Sequence, residues 1–367
     1  MKRFDFPLLL RRIVFRLMRV DLMLLGLVIT LTTIGFAAGY SFPWRIEGQI
    51  RNIAVAASVM FVVAATPVKW FEKSALPLFV LGCLLLAATH VAGVTVKGAT
   101  RWLDVGVRIQ PSEIMKLALP MMLAWYYHKR SETAAWWDHL AAFAMLAVPV
   151  AFILKQPDLG TSILVATAGF AVIFFAGLHW KAIAVLIVGG LSMLPIVWTM
   201  MHDYQRERVL TLLDPTSDPL GKGFHTIQAL IAIGSGGLSG KGWMEGTQAH
   251  LDFIPERTSD FLFAVYGEEF GFIGCSLLLV LFTCLVARSF YIASQAPSTF
   301  SRLLGGALGS IFFTYSFVNM GMVSGILPVV GVPLPFMSYG GTALLILGVS
   351  TGILLSISAE VRANPNN

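Results

Sequence analysis

The sequence predicts an all-α polytopic integral membrane protein of about ten transmembrane helices. A large outward loop between the seventh and eighth spans is expected to hold a short re-entrant or interfacial helix. Three observations carry that expectation. The 367 residues are 56% hydrophobic and only 13% charged, about half the charge of an ordinary soluble domain. Mean hydropathy is +0.76. Apolar windows of about 20 residues, the length a helix needs to cross a bilayer, recur along the whole chain. They build one membrane-embedded domain over 1–367, with 1–20 a cytoplasmic basic tail and 201–259 the large extracytoplasmic loop. The net charge of +6 then reports topology and lipid contact, not nucleic acid.

Taken in order, the tail carries Lys2, Arg3, Arg11, Arg12, Arg16 and Arg19 ahead of the first span. Cations collect on the cytoplasmic side, which places the tail inside. Its pattern, FDFPLLLRRIVFRLMRV, also suits a basic amphipathic segment lying on the membrane surface. No cleavable signal peptide is evident, because the first apolar run, near 22–40, is long enough to span and more spans follow. Those are expected near 51–67, 75–94, 112–127, 139–154, 160–177, 181–200, 260–287, 302–322 and 342–359. Counting forward puts Lys69, Lys73, His128 to Arg130, Lys181, Arg288, Arg302 and Arg362 inside, with both termini. Cys83, Cys275 and Cys284 fall within apolar runs without metal-ligand spacing and read as small core residues.

Three of the segments that then face outward carry the argument: 92–111, 201–259 and 323–341. The first holds Lys97, Arg101 and Arg108, cations on the side where short loops are poor in them, which points to an anionic ligand or to lipid headgroups. In the second, FHTIQALIAIG (Phe224–Gly234) has apolar residues at helical spacing but is too short to span. The run GSGGLSGKG (Gly234–Gly242) fails as a nucleotide loop, with Ser235 and Gly242 where a glycine and a hydroxyl residue are required. A tight glycine turn and a backbone approach to a diphosphate both remain open. In the third, Pro328, Pro333 and Pro335 make Ile326–Gly341 a stiff, irregular wall.

Charge at the lip of an apolar span is costly and points to a substrate path. Glu113 and Lys116 stand at i, i+3 in PSEIMKLALP and can pair on one helical face, fixing helix packing, shaping a cavity, or both. LDFIPERTSDFLFAVYGEEFG (Leu251–Gly271) brings five carboxylates, Arg257 and Pro255 to the start of the eighth span. Asp260 is expected in the first helical turn with Ser259 as N-cap, held charged by the helix dipole. A general base needs orientation and reach besides. Asp158, in the outward turn KQPDLG, reads as a helix cap before Gly160 or as an acid assisting an ion or an acceptor.

These segments carry a resemblance. RWLDVGVRIQPSEIMK (Arg101–Lys116), KQPDLGTS (Lys155–Ser162), QALIAIGSGGLSGKGWMEGTQ (Gln228–Gln248), FIPERTSDFLFAVYGEEFGFIG (Phe253–Gly274) and PLPFMSYGG (Pro333–Gly341) together resemble the SEDS family of shape, elongation, division and sporulation proteins, in its RodA-like branch. The resemblance implies a peptidoglycan glycosyltransferase at the bacterial cytoplasmic (inner) membrane, polymerising lipid II into β-1,4 glycan strands on the periplasmic side. It implies Asp260 as catalytic base, Glu113 and Lys116 as the intramembrane pair, and a class B penicillin-binding protein, a single-span transpeptidase, as partner. Cations are then needed for the substrate diphosphate. Arg101, Arg108, Arg206 and Arg208 are the candidates, with Lys97, Lys222 and Lys241 behind them. Gln110, Asp158, Gln228, Ser235, Glu256 and Ser338 complete the candidate substrate-binding set, with Asp252 beside Glu256 as support. A divalent cation, Mg or Mn, is the one cofactor expected, and no nucleotide. In one departure from the family pattern P-E-x-H-T-D-F, Thr258 stands for the histidine and Ser259 for the threonine. A lipid II flippase and a non-catalytic scaffold for the transpeptidase are the competing readings.

Overall fold

A computed structural model describes residues 14–40, 45–96, 99–104, 106, 108–130, 135–156, 158–201, 203–214, 223–250 and 256–363. The chain is mostly helical. Helices α1 (Leu22–Gly39), α2 (Ile46–Ala65) and α3 (Val68–Ala92) lead into strands β1 (Val94–Val96), β2 (Ala99–Asp104) and β3 (Arg108–Ile109). Then come α4 (Pro111–His128), α5 (Trp136–Lys155), α6 (Leu159–Phe175), α7 (Trp180–Met200), α8 (Asp203–Leu213), α9 (Phe224–Ser235) and α10 (Thr247–His250). Helices α11 (Leu262–Ser294), α12 (Thr299–Val323) and α13 (Gly341–Ala363) complete the described chain.

A helix lies over every apolar window read from the sequence, with shifted ends. Helix α3 starts at Val68, seven residues before its window, because its hydrogen-bonded ladder continues through Lys69, Glu72 and Lys73. Seven helices (α1, α2, α3, α5, α11, α12 and α13) are long and apolar enough to cross a membrane. Helix α6 and the apolar part of α7, Trp180–Ile196, are shorter. The expectation of an all-α chain fails at 92–111. There β1 pairs antiparallel with β2, Val94 opposite Trp102, and β2 with β3, Leu103 opposite Ile109. Valine, threonine and tryptophan suit a pleated ribbon, and a 20-residue hydropathy window is too coarse to register three short strands.

Helix α12 sits at the centre, packed against α4, α6 and α11, while α13 lies along α2. Small residues permit these approaches, as expected where lipid tails are as apolar as the side chains. One end of the bundle is tied by Asp21, which is almost fully buried. Its Oδ1 caps α1 by accepting from Leu24 N at 2.8 Å. The same carboxylate accepts from Arg288 of α11 and, at 3.1 Å, from Arg362 of α13. Burial pulls its pKa upward, but the Arg288 and Leu24 hydrogen bonds and both guanidinium charges outweigh it and hold the carboxyl below its ordinary value.

Helix α11 is broken at Gly271, whose φ of 63° and ψ of −162° suit only glycine. The groups this break frees are taken by the glycine-rich run. Phe272 N and Ile273 N donate to the Gly237 and Leu238 carbonyls at 2.9 and 3.1 Å. In return, Lys241 N and Gly242 N donate to the Glu268 and Glu269 carbonyls at 3.0 and 3.1 Å. Two amides considered for a diphosphate are therefore engaged with α11.

Candidate functional site

Asp260 lies in the turns that precede α11, whose N-cap is Phe261 without a side-chain cap. This corrects the expectation of Asp260 in the first helical turn under a Ser259 cap. The Ser259 hydroxyl turns back instead and meets the Glu256 carbonyl and Oε2 at 3.2 and 3.1 Å. Glu256 itself has a φ of 52°, a sparsely populated state for a residue with a side chain.

Three consecutive carbonyls anchor the segment. Tyr339 N donates to Thr258 O at 2.8 Å, the Ser338 hydroxyl donates to Ser259 O, and Asn319 Nδ2 donates to Asp260 O at 2.8 Å. Asn319, fully buried on α12, also donates to Val332 O at 2.7 Å. Ser338 Oγ accepts from Leu334 N at 2.9 Å. Ser338 is therefore a brace turned into the protein, not the saccharide contact expected from the sequence, because its hydroxyl is buried and engaged on both sides. Across this segment lies Gly331, at φ 74°. A Cβ there would come within 3.3 Å of Asp260 Oδ2, so the carboxylate rests against bare backbone.

The start of α6 meets the same 330–332 backbone, a Cβ on Gly160 reaching Val330 O at 2.7 Å. Asp158 caps that helix, accepting from Thr161 N at 3.1 Å. It also accepts from Gln110 Nε2 at 3.1 Å and lies 3.7 Å from Arg101 Nη1. Capping and a polar cluster are thus both realised in one residue. One turn into α4, Lys116 Nζ donates to Glu113 Oε1 and to the Tyr315 hydroxyl, each at 2.6 Å. Tyr315 and Asn319 stand four apart on α12, so the ion pair and the Asp260 brace share one helical face.

Other candidates are placed elsewhere. Lys241 donates to the buried Glu268 carboxylate at 2.6 Å, which Thr247 and Gln248 N also bind, so it serves the seam with α11 and not a diphosphate. Arg206 closes the end of α7 on the Trp198 and Thr199 carbonyls at 3.0 and 2.7 Å. Arg108 lies 3.7 Å from Asp104 at the surface. Ser235 bonds back to Ala232 O in its own helix at 2.8 Å. Gln228 is half-buried on α9, and Glu256 is exposed. Arg208 lies on α8, its side chain outside the described residues, as are Lys97, Lys222 and Asp252.

The sequence reasoning missed Arg45, His225 and Asn319 here. Arg45 lies over the Tyr339 ring at 4.8 Å and lines a narrow cavity with Gln49 and Thr258. Burial and the Arg45 charge both lower the pKa of Arg257, so two guanidiniums gather beside the Asp260 segment. Arg45 carries the signal already used for Arg101, a cation in a segment expected to face outward, and could have been found by it. His225 stacks on Phe261 at 5.9 Å, and burial, opposed by Glu256, holds its pKa below the ordinary value. Asn319 gave no signal. From Phe36, at the edge of the narrow cavity, an apolar groove of about 330 Å³ continues past Val28, Ile53, Met60, Phe336 and Leu344.

A carboxylate on a backbone-anchored segment, with Arg257 on that segment and Arg45 and Thr258 lining a cavity that leads to an apolar groove, can accept a proton from a hydroxyl beside a lipid-borne anion. Among the described residues no three His, Cys, Asp or Glu side chains gather to hold a metal ion.

Residues 12–363 match the FtsW/RodA/SpoVE family of cell cycle proteins. The chain is 47% identical to peptidoglycan glycosyltransferase MrdB of Escherichia coli (strain K12) over 338 residues, 92% of this chain and 91% of that protein. It is 34% identical to the probable peptidoglycan glycosyltransferase FtsW of Geobacter metallireducens, over 95% of this chain and 96% of that one. In structure it is similar to a chain from work on polymerization and crosslinking by a peptidoglycan synthase complex, with a TM-score of 0.81, 30% identity, and 93% and 98% of the two chains covered. It is also similar to rod shape determining protein RodA of Thermus thermophilus, with a TM-score of 0.71, 28% identity, and 95% and 98% covered. The chain belongs to the FtsW/RodA/SpoVE family of cell cycle proteins, as multi-pass membrane protein and peptidoglycan glycosyltransferase alike.

Proposed function

We propose that this glycosyltransferase polymerises lipid II during cell elongation, with Asp260 as general base. The observation that carries the assignment is the triple backbone anchor, which fixes the segment bearing Asp260, the same segment on which Arg257 interacts with Arg45. Asp260 takes the proton from the acceptor sugar's 4-hydroxyl. That oxygen forms the new bond to the donor's anomeric carbon as the bond to polyprenyl diphosphate breaks, and the diphosphate leaves with the electron pair. One in-line displacement turns an α-linked donor into a β-linked product. The leaving group needs little acid help, and nearby guanidiniums stabilise its charge. The apolar groove beyond Phe36 suits the polyprenyl tail.

The full proposed topology has ten spans, with α4, α6 and α7 joining the seven helices long and apolar enough to cross a membrane and α9 re-entrant or interfacial. Both termini are cytoplasmic and Asp260 lies at the periplasmic headgroup level. A class B penicillin-binding protein is the proposed partner, supported by the likeness to a chain of a peptidoglycan synthase complex.

Purified protein with that partner and lipid II in detergent is expected to yield glycan, and Asp260→Asn to slow initial rates by about 100-fold or more. Polymer made at the normal rate by the variant would remove Asp260 from the mechanism. Headgroup translocation in vesicles without any polymer would favour the flippase.

A further inference from the structure

At the other end of the bundle from Asp260 lies a second, larger cavity that the proposed reaction does not use. Its volume is about 850 Å³, and it opens between the ends of α4, α6 and α11 and the start of α12. Arg302, in the first turn of α12, is about 25 Å along that helix from Asn319, and so from Asp260. Two arginines, Arg130 and Arg302, line the cavity together with His128, and no carboxylate does. Tyr127, Phe175 and Phe290 supply its aromatic walls.

The surrounding charges are divided unevenly. His128 and Lys129 lie 3.8 and 3.2 Å from Glu72 on α3, and Arg130 lies 3.4 Å from Asp138 on α5. Among the described residues Arg302 has no carboxylate partner. It stands at the positive end of a helix macrodipole, where a cation is disfavoured and an anion is stabilised. The other first-turn groups, Thr299 and Ser301, are neutral. An arginine without a carboxylate partner among the described residues, a helix start and a second arginine just past the end of α4, 3.4 Å from Asp138, make a site for negative charge.

Its depth and walls identify the anion. Trp136, Trp137 and Trp180, all more than 60% exposed, sit at this same end of the bundle. Such exposed indoles mark the membrane–water interface. Phe175, about two-fifths exposed, opens the cavity sideways to the apolar surface. A free anion needs no such wall, whereas an acyl chain does. Basic pockets between helices at the cytoplasmic interface bind anionic headgroups.

We propose that this cavity binds an anionic glycerophospholipid, its phosphate held between Arg302 and Arg130 and its acyl chains against Phe175, Phe290 and Leu303. Leu303 lines the same cavity next to Arg302. The lipid would reach the protein from the leaflet opposite the site of polymerisation.

The test is lipid retention by native mass spectrometry, after equilibration with equal amounts of phosphatidylglycerol and phosphatidylcholine. The wild-type chain is expected to retain phosphatidylglycerol in preference. Arg302→Gln is expected to lower that preference about fivefold, the worth of one cation near an anionic surface. Arg302→Lys should keep most of it, and Arg130→Gln gives a second, independent loss. Polymerisation in detergent by Arg302→Gln should stay at the wild-type rate, which shows that the variant is folded. Equal retention of the two lipids by the wild type would overturn the proposal, as would an unchanged preference in both glutamine variants. If inorganic phosphate raised the melting temperature as much as phosphatidylglycerol does, the site would be one for free anions and the lipid assignment would fall.

Discussion

Replacing Asn319 with leucine tests how the Asp260 segment is held. The side chains are close in volume, so the change removes hydrogen bonding more than packing. Both amide hydrogens are in use, on Asp260 O at 2.8 Å and Val332 O at 2.7 Å. Leaving each carbonyl without its donor costs about 1–3 kcal/mol. Asn319 Oδ1 is itself buried without a partner, so its removal returns about 1 kcal/mol. The net loss is about 1–5 kcal/mol, concentrated on two strands of backbone that meet at the carboxylate. The Ser338 and Tyr339 anchors remain, so the segment is expected to loosen and not to unfold. A displacement of about 1 Å at a reacting group lowers turnover about 100-fold. Initial rates of glycan synthesis across lipid II concentrations should therefore show kcat falling about 100-fold with KM within about twofold. Asn319→Asp, which cannot donate when ionised, should behave alike. A leucine variant with kcat within twofold of wild type, or one that loses only KM, would refute the view that this amide positions Asp260.

Two further outcomes follow from buried charge. Removing one partner of the Glu113–Lys116 pair, as in Lys116→Met, should cost about 3–5 kcal/mol of stability, while Glu113→Leu with Lys116→Met together should recover most of it; chemical unfolding in detergent measures both. The Asp21 clasp sets an acid limit. Its carboxyl is held below the ordinary value of 3.8, so the folded chain binds this proton less readily than the unfolded one. Its stabilisation is complete above that value and is lost as pH falls below it toward the folded pKa. Asp21→Asn should lower the melting temperature at pH 7 and flatten its fall below about pH 4. Parallel acid curves for the two proteins would show that the clasp does not govern acid unfolding.

How much was legible beforehand depended on the range of each interaction. Span positions were readable because hydrophobic thickness imposes a length on every helix, whereas their ends follow hydrogen bonds that continue past the hydrocarbon. The β1–β3 ribbon was lost because its alternation lasts a few residues between long apolar runs. Asp260 drew notice as a charge at a span's edge, and the family resemblance ranked it. Its cap was misread because Ser259 bonds backward to Glu256, a choice that propensity does not encode. Arg45 obeyed a rule already in use and was overlooked. Asn319 and Tyr315 were silent for a different reason: an asparagine or tyrosine in an apolar helix names no partner. Theirs lie 59 and 199 positions away.

The break at Gly271 changes what kind of object the glycine-rich run is. Ordinary surface loops accept insertions because little depends on their path. Here the Gly237 and Leu238 carbonyls and the Lys241 and Gly242 amides complete four backbone pairings that α11 cannot make for itself. Lengthening the run by one residue would put those groups out of phase with both halves of the helix at once. Residues 234–242 therefore belong to α11 as a keystone belongs to an arch, and they move only when the outer half of that helix, with Asp260 at its tip, moves too.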